Sequence, residues 1–327
     1  MDFKRFILKI TLRKILNYFA ARLSFTFSKL FLSPFVFGNP YSLTLEPNNF
    51  CNLKCTECPT GMNSLTRNKG NMDFELAKNA VDELKKDLIY LLLYFQGEPF
   101  MASRFFEIIR YANKNGIYTA TSTNGHFLTP ENCENIINSG LDRLIISIDG
   151  TTQESYSKYR KGGSLDIVLQ GLETLYNVKK RLKKPNPFII IQFLVFKHNE
   201  HEILEIKNIA KKYNCKLELK TAQIYNLSEA ENLLPTQGKY SRYRKTSNGE
   251  YKIKKQSKSC LRLWSHLVIS WDGKIVPCCF DKNASNCFGT LSNKNLLQIW
   301  KSTQFNNFRQ DLLVKKHEIE MCDNCNL

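Results

Sequence analysis

Nowhere in the 327 residues is there an uncharged apolar run of the roughly eighteen residues needed to cross a bilayer. No cleavable signal peptide is evident, so nothing sends the chain to an oxidising compartment. Acids are scarce: 30 Asp and Glu face 47 Lys and Arg, for a net charge of +17. Gathered into one stripe, that surplus would mark a nucleic-acid or anionic-membrane protein. Here the cations spread along a chain rich in Lys and Asn, and no appended RNA-binding motif is recognisable, which argues against nucleic acid. Acids are scarcest at the start, where Asp2 is the only one in the first forty residues. Lys4, Arg5, Lys9, Arg13, Lys14, Arg22 and Lys29 alternate there with Phe6, Ile7, Leu8, Ile10, Leu12, Ile15, Leu16, Phe19 and Leu23, and Pro34 and Pro40 interrupt the longest apolar run. Two readings stay open for residues 1–40: a basic amphipathic helix on the inner leaflet of a membrane, or the same apolar face packed on the protein's own core.

Histidine is scarce too, with five, whereas there are eleven cysteines. An odd number clustered at metal-ligand spacing reads as reduced thiols in the cytoplasm, not as a disulfide framework. Cys51-Asn-Leu-Lys-Cys55-Thr-Glu-Cys58 follows a strand-like run, and the next sixty residues hold no further Cys or His. Structural zinc needs four such ligands, and a fourth would have to come from His126, Cys133 or the C-terminal cysteines. A redox dithiol of Cys55 and Cys58 would leave Cys51 unexplained. A [4Fe–4S] cluster normally takes four thiolates, so three leave one iron open for chemistry.

From Ser42 onward, short apolar runs alternate with amphipathic stretches, the pattern of βα units around a parallel sheet. Strands are expected at Ser42 to Glu46, Ile89 to Phe95, Ile117 to Ser122, Arg143 to Ile148, Phe188 to Val195 and Lys216 to Lys220. Helices are expected from about Asp73, Ser103, Thr129, Ser164 and Glu200, with Thr129-Pro130 a good helix start. The fold class is α/β: a partial (β/α)6 TIM-like barrel with a small C-terminal hairpin and helix unit. In such folds the loops after the strands carry the site. The three cysteines, Gly97-Glu98-Pro99, Thr123-Asn124-Gly125, and Ser147 with Asp149 all fall there. Asn124-Gly125 and Asp149-Gly150 also suit ordinary turns.

The run Cys51, Cys55, Cys58 resembles the CxxxCxxC signature of the radical SAM superfamily, and the resemblance covers about residue 41 to the end. It implies a [4Fe–4S] cluster whose open iron is chelated by S-adenosylmethionine, reductive cleavage to a 5′-deoxyadenosyl radical, and abstraction of a substrate hydrogen. It also implies a low-potential electron donor such as flavodoxin or ferredoxin. Gly97-Glu98-Pro99 resembles the family's GGEP motif, which binds the methionyl amino group, with Gln96 where the first glycine is usual. Ser122, Thr123 and Asn124 would lie near the ribose or methionyl end, Ser147 and Asp149 near the ribose, and Arg160 at the methionyl carboxylate. The family often has an aromatic or His before the third cysteine to contact adenine. Glu57 stands there, which leaves Phe193 or Val195 for that role.

Residues 226–259 read as a polar, Lys-rich linker between a core domain at 41–225 and a cysteine-rich unit at 260–327. Asp272-Gly273 marks a hairpin that would bring Cys260 and Cys278 together, and Cys322 with Cys325 can close a four-thiolate site, for zinc or for iron–sulfur. The arrangement resembles the SPASM or twitch extension, which implies an auxiliary [4Fe–4S] cluster. With the sequence ending two residues after Cys325, one auxiliary cluster is expected, on Cys260, Cys278, Cys322 and Cys325. Cys279 rivals Cys278; in sulfatase-maturing relatives an aspartate stands at that next position. Cys133, Cys215 and Cys287 read as structural.

The expected function is a radical SAM oxidoreductase that modifies a peptide or oxidises a sugar-like molecule. An envelope sugar or lipid-linked substrate would suit a membrane-facing N-terminus, on the inner face of the membrane. The alternatives are a non-catalytic zinc protein with a basic surface for nucleic acid or membrane, and a radical SAM enzyme modifying RNA.

Overall fold

The computed structural model describes residues 3–254, 257, 259–291 and 295–325. All six expected strands form: β1 (Ser42–Leu45), β2 (Tyr90–Leu92), β3 (Tyr118–Thr123), β4 (Arg143–Ser147), β5 (Phe188–Val195) and β6 (Lys216–Thr221). They pair in parallel in chain order, and β6 is an edge not joined back to β1. The result is an open barrel wall. Before the wall come α1 (Phe3–Leu8) and α2 (Leu12–Phe31), and between its strands run α3 (Phe74–Leu84), α4 (Phe105–Lys114), α5 (Pro130–Asn138), α6 (Gln153–Tyr159), α7 (Leu165–Arg181) and α8 (Ile203–Lys212). Asp73, Thr129 and Ser164 cap α3, α5 and α7 with side-chain oxygens that accept from the first-turn N–H groups. The short α6 was not expected; its capping box on Thr152 and Ser155 starts it.

Two features of the C-terminal third depart from expectation. Residues 226–259 are not a plain linker, because they carry a short helix, α9 (Ala230–Leu233), and an antiparallel pair, β7 (Tyr243–Lys245) and β8 (Tyr251–Ile253). The hairpin β9 (His266–Ile269) and β10 (Ile275–Val276) forms around Asp272-Gly273, with Gly273 at φ +83. It does not stand apart: β9 pairs in parallel with β1, extending the main sheet to eight strands. Three more helices follow, α10 (Leu296–Trp300), α11 (Thr303–Lys315) and α12 (Glu320–Asp323). Trp264, Trp300 and Phe305 belong to the same buried cluster as the barrel residues Leu43, Leu91 and Leu144. The indole N–H groups of Trp264 and Trp300 donate to the Phe35 and Gly38 carbonyls at 3.0 and 3.1 Å. The cysteine-rich unit is therefore packed onto the barrel at its β1 side.

His266 sits at that β1–β9 seam. Its Nδ1 lies 2.9 Å from Ser42 Oγ and its Nε2 3.2 Å from Thr44 Oγ1. Burial, helped by the Arg262 charge, lowers its pKa to about 3. The unfolded chain takes up this proton near the ordinary value of about 6.5, whereas the folded one holds out to about 3, so stability falls as pH drops through that window. The urea midpoint is expected to fall more steeply between neutral and acid pH in the parent protein than in His266→Gln; equal slopes would remove His266 as the cause.

The first two helices cross the opposite end of the wall from the motif loops. Arg5 and Lys9 pair with Asp142 just before β4, Arg13 with Asp87 just before β2, and Lys14 Nζ donates 2.7 Å to the Gly116 carbonyl before β3.

Candidate functional site

The loop after β1 is folded against the α6 end. Lys54 N donates to Lys161 O at 2.9 Å and Thr56 N to Tyr159 O at 3.3 Å. Gly61 packs so tightly over this loop that a Cβ would come within 2.5 Å of the Cys55 backbone. Cys51, Cys55 and Cys58 thereby line one cavity of about 130 Å³. Gly97, Glu98, Ser122, Thr123, Asn124, Ser147 and Arg160 line it too, so four loops chosen from sequence converge on one place.

Gly97 has φ +74, and a Cβ there would lie 2.2 Å from Asn48 Oδ1, which is why this position of the motif must be glycine. Gln96 replaces the first glycine without blocking the cavity. Its Nε2 donates to Phe95 O at 2.9 Å and its Oε1 accepts from Thr60 Oγ1 at 3.0 Å, tying this loop to the cysteine loop. Glu98 is 2 % exposed. Its Oε1 accepts from Thr123 Oγ1 and Phe100 N, and its Oε2 accepts from Asn124 N, at 2.8, 3.2 and 2.8 Å. Burial outweighs these bonds and raises its pKa to about 7.

Arg160 is not a solvated surface residue. Its side chain is 12 % exposed, Nε and Nη2 each lie 2.6 Å from Asp149 Oδ2, and Nη1 lies 3.9 Å from Cys55 Sγ. Burial opposes its charge, but Asp149 and Cys55 more than offset that, so its pKa is raised. Three expected contacts are not at the cavity. Asp149 is fully buried, with Oδ1 taken by Leu194 N at 2.6 Å and Oδ2 by Arg160, so it positions the arginine and does not line the cavity. Pro99 is buried in a single turn of 3₁₀-helix, and Phe193 is fully buried in the main core. Strand parity explains Phe193 and Val195: both face the helices, while Gln192 and Leu194 face the interior side. The cavity residues missed from sequence are Leu53, Thr60, Gly61, Tyr94, Phe95 and Tyr159. Tyr94 and Phe95, just past the short β2, could have been found by extending the rim argument to its end.

No three Cys, His, Asp or Glu side chains among the described residues come close enough to hold a single metal ion. Two thiolates on one zinc lie only about 3.8 Å apart. Three thiols spread around one cavity therefore fit a polyatomic cluster better than an ion. The next histidine along the sequence is already engaged: His126 Nδ1 meets Asn124 Oδ1 at 3.1 Å, and Nε2 accepts from Ser164 N at 2.9 Å. Asn124 Nδ2 is 3.6 Å from Cys51 Sγ. Burial raises the Cys51 thiol to about 11, so loading requires the metal itself to displace the protons.

A second cavity, of about 20 Å³, is lined by Cys260, Cys278, Cys322 and Cys325 with Arg262 and Lys316. Cys279 does not line it; its Sγ instead receives a hydrogen bond from Arg262 Nη1 at 3.0 Å, and the residue packs by Phe95, Val268 and Val276. Cys133 and Cys215 have pKa values of about 12 through burial, and with Cys287 they line neither cavity.

Beside the first cavity lies one of about 280 Å³, lined by Glu57, Gln192, Lys220, Gln223, Tyr225 and Arg242, with Tyr159 forming a wall of both. Glu57 Oε2 accepts from Tyr225 N at 2.7 Å. A fourth cavity, about 840 Å³, runs from Pro59 and Tyr225 to Phe280, Phe308 and Met321. A larger one of about 1070 Å³ beneath the β7–β8 hairpin contains none of the cysteines.

The family model of the radical SAM superfamily matches residues 45–210, and that of an iron–sulfur cluster-binding SPASM domain matches residues 260–326. The chain belongs to the radical SAM superfamily, and the two domains imply a [4Fe–4S] cluster, S-adenosylmethionine and auxiliary iron–sulfur chemistry. It is 33% identical over 173 residues to the AdoMet-dependent heme synthase of Methanosarcina barkeri, a match over 53% of this chain and 47% of that protein, so the chain spans about half the length of that relative. It is 24% identical over 314 residues, 87% of each chain, to the tungsten-containing aldehyde ferredoxin oxidoreductase cofactor-modifying protein of Pyrococcus furiosus. In fold it is similar to Streptococcus suis SuiB bound to precursor peptide SuiA, with TM-score 0.63 and 13% identity over 84% of this chain and 67% of that one.

Proposed function

We propose that this protein is a radical SAM oxidoreductase acting on a peptide segment, with Cys51, Cys55 and Cys58 holding the cluster beside S-adenosylmethionine and one auxiliary cluster on Cys260, Cys278, Cys322 and Cys325. The observation that carries the reading is the convergence of three thiols, a buried carboxylate and a buried guanidinium on one small cavity. When bound, the cofactor pair supplies a carbon radical that removes a substrate hydrogen, with electrons from a low-potential donor such as flavodoxin or ferredoxin. Glu98 keeps one lone pair uncommitted, on Oε2, for the methionyl ammonium. Arg160, held by Asp149, offers its remaining N–H groups to the methionyl carboxylate. Ser122, Thr123 and Asn124 fix the loop geometry around them, and Ser147 offers a hydroxyl to the ribose. Tyr159 walls the cavity on the side of Glu57 and Tyr225.

A peptide suits the long fourth cavity, which begins beside Cys58 at Pro59 and reaches the C-terminal unit at Phe280 and Met321. SuiB's binding of its precursor peptide supports the same class. The sugar-like alternative has the smaller polar cavity of Gln192, Lys220 and Arg242 in its favour. Peripheral contact with the inner face of a membrane through residues 1–40 is part of the proposal.

The test is anaerobic reconstitution with iron and sulfide, metal counting, and an assay for 5′-deoxyadenosine after dithionite reduction with S-adenosylmethionine. About eight irons, the content of two cubanes, with cofactor cleavage supports the reading; tightly held zinc without cleavage sinks it. A finer expectation concerns Glu98. Its pKa of about 7 leaves it neutral in acid and ionised above neutrality, so attraction for the ammonium grows as pH rises through 7. The cluster-loaded protein is expected to bind S-adenosylmethionine about tenfold more tightly at pH 8 than at pH 6. Glu98→Gln should bind weakly at both; a parent protein with no pH dependence would discard this role.

A further inference from the structure

Helix α2 is packed the wrong way round for a helix of a water-soluble surface. Its buried positions are Lys14, Asn17, Ala21, Ser24 and Ser28, a polar and small-residue face. Its opposite face is apolar and open: Leu12 is 72% exposed, Leu16 61%, Phe19 56%, Leu23 52% and Leu30 73%. Among the described residues, thirteen of the nineteen exposed large hydrophobic side chains lie between Phe3 and Phe37. The orientation is locked by directed bonds. Asn17 Oδ1 accepts from Asn39 N, Ser24 Oγ from Phe37 N and Ser28 Oγ from Phe35 N, each at 2.8 Å. A Cβ on Gly38 would meet Ala21 N at 2.7 Å, so the two backbones are in close contact. Rolling the helix to hide its leucines would break all of these together.

We propose that this face docks the protein on an anionic phospholipid surface. It deepens the peripheral contact proposed above, and it stands on the helix geometry alone, not on the chemistry assigned to the cysteines. At 100° per residue, Arg22 and Lys29 share one flank of the apolar stripe and Arg13 lies on the other. Arg22 and Lys29 are exposed, where long cationic side chains reach lipid phosphates while the stripe sinks below the headgroups, whereas Arg13 is held by Asp87. No acid occurs between residues 3 and 45. Two copies placed face to face would therefore set cation against cation with no acid of the segment to compensate. An anionic lipid surface satisfies stripe and flanks at once. Because Arg5, Lys9, Arg13 and Lys14 fix the helices at the N-terminal ends of β2, β3 and β4, docking turns the rim with the three-cysteine cavity away from the bilayer. The substrate then arrives from the aqueous side.

The experiment is flotation of the full chain, cluster-loaded, with phosphatidylcholine vesicles and with vesicles containing about 30% phosphatidylglycerol. The parent protein is expected to float with the mixed vesicles and much less with the neutral ones. Leu16→Glu/Leu23→Glu should lower the vesicle-bound fraction on both at least about twentyfold. Arg22→Ser/Lys29→Ser should lose about tenfold or more on the anionic vesicles only. Iron content and 5′-deoxyadenosine formation should be unchanged in both variants, so failure of docking and failure of the enzymatic reading are read separately. Absence of binding to anionic vesicles overturns the proposal. So does a parent dimer that Leu16→Glu/Leu23→Glu converts to monomer, which would make this face a contact between copies.

Discussion

Cys51→Ala is expected to cost the anaerobically reconstituted protein about four irons per chain, one cubane's worth, and to lower 5′-deoxyadenosine formation at least about a thousandfold. The loss should be this large because no substitute ligand is at hand. His126 has both ring nitrogens engaged, and Cys133 is fully buried with its Sγ 3.6 Å from the Leu128 carbonyl. Cys55→Ala and Cys58→Ala should behave alike, since all three thiols line one cavity. Cys133→Ala is the control, expected to keep its iron and its cleavage activity. A Cys51→Ala protein that retains full iron and cleaves the cofactor would remove the cavity from consideration.

The second large effect separates two adjacent residues. Cys278→Ala should lose about four irons, cleave S-adenosylmethionine still, and form no substrate-derived product. Cys279→Ala should keep the full iron complement. The difference rests on direction: Cys278 faces the cavity shared with Cys260, Cys322 and Cys325, while Cys279 turns to Arg262 at 3.0 Å. The opposite pattern, with iron lost from Cys279→Ala and kept in Cys278→Ala, would exchange the two roles. Iron counts near those of the parent in both would dissolve the auxiliary assignment.

Much of the barrel is legible in the sequence because its signals are local. Asp73, Thr129 and Ser164 announce their helices with a single side chain each, and the apolar runs of β1 to β6 are bounded by turn residues. The rim argument then places the cysteines, Glu98 and Asn124 without knowledge of any contact, and the family resemblance adds Arg160. It fails where the answer depends on a partner distant in sequence. Asp149 looks like a free rim carboxylate until Arg160 and Leu194 are seen to occupy it. Phe193 looks available until the parity of β5 is known from its burial. The orientation of α2 was undecidable for a deeper reason. An apolar stripe normally marks the buried side, and only the bonds from Asn39, Phe35 and Phe37 reveal that the opposite side is the one held down.

The parallel pairing of β1 with β9 bears on the timing of synthesis. His266 follows its partner Ser42 by 224 residues, so at about 5–20 residues per second a ribosome leaves one edge of β1 unpaired for roughly 10–45 s. That edge is an open row of amide and carbonyl groups, attached to the segment that presents Cys51, Cys55 and Cys58. Until the last fifth of the chain arrives and closes it, the nascent protein is at its most sticky and its thiols are least sheltered from stray metal and oxidant. Chaperone cover and iron–sulfur delivery therefore face a common schedule, set by the distance along the message between two neighbouring strands.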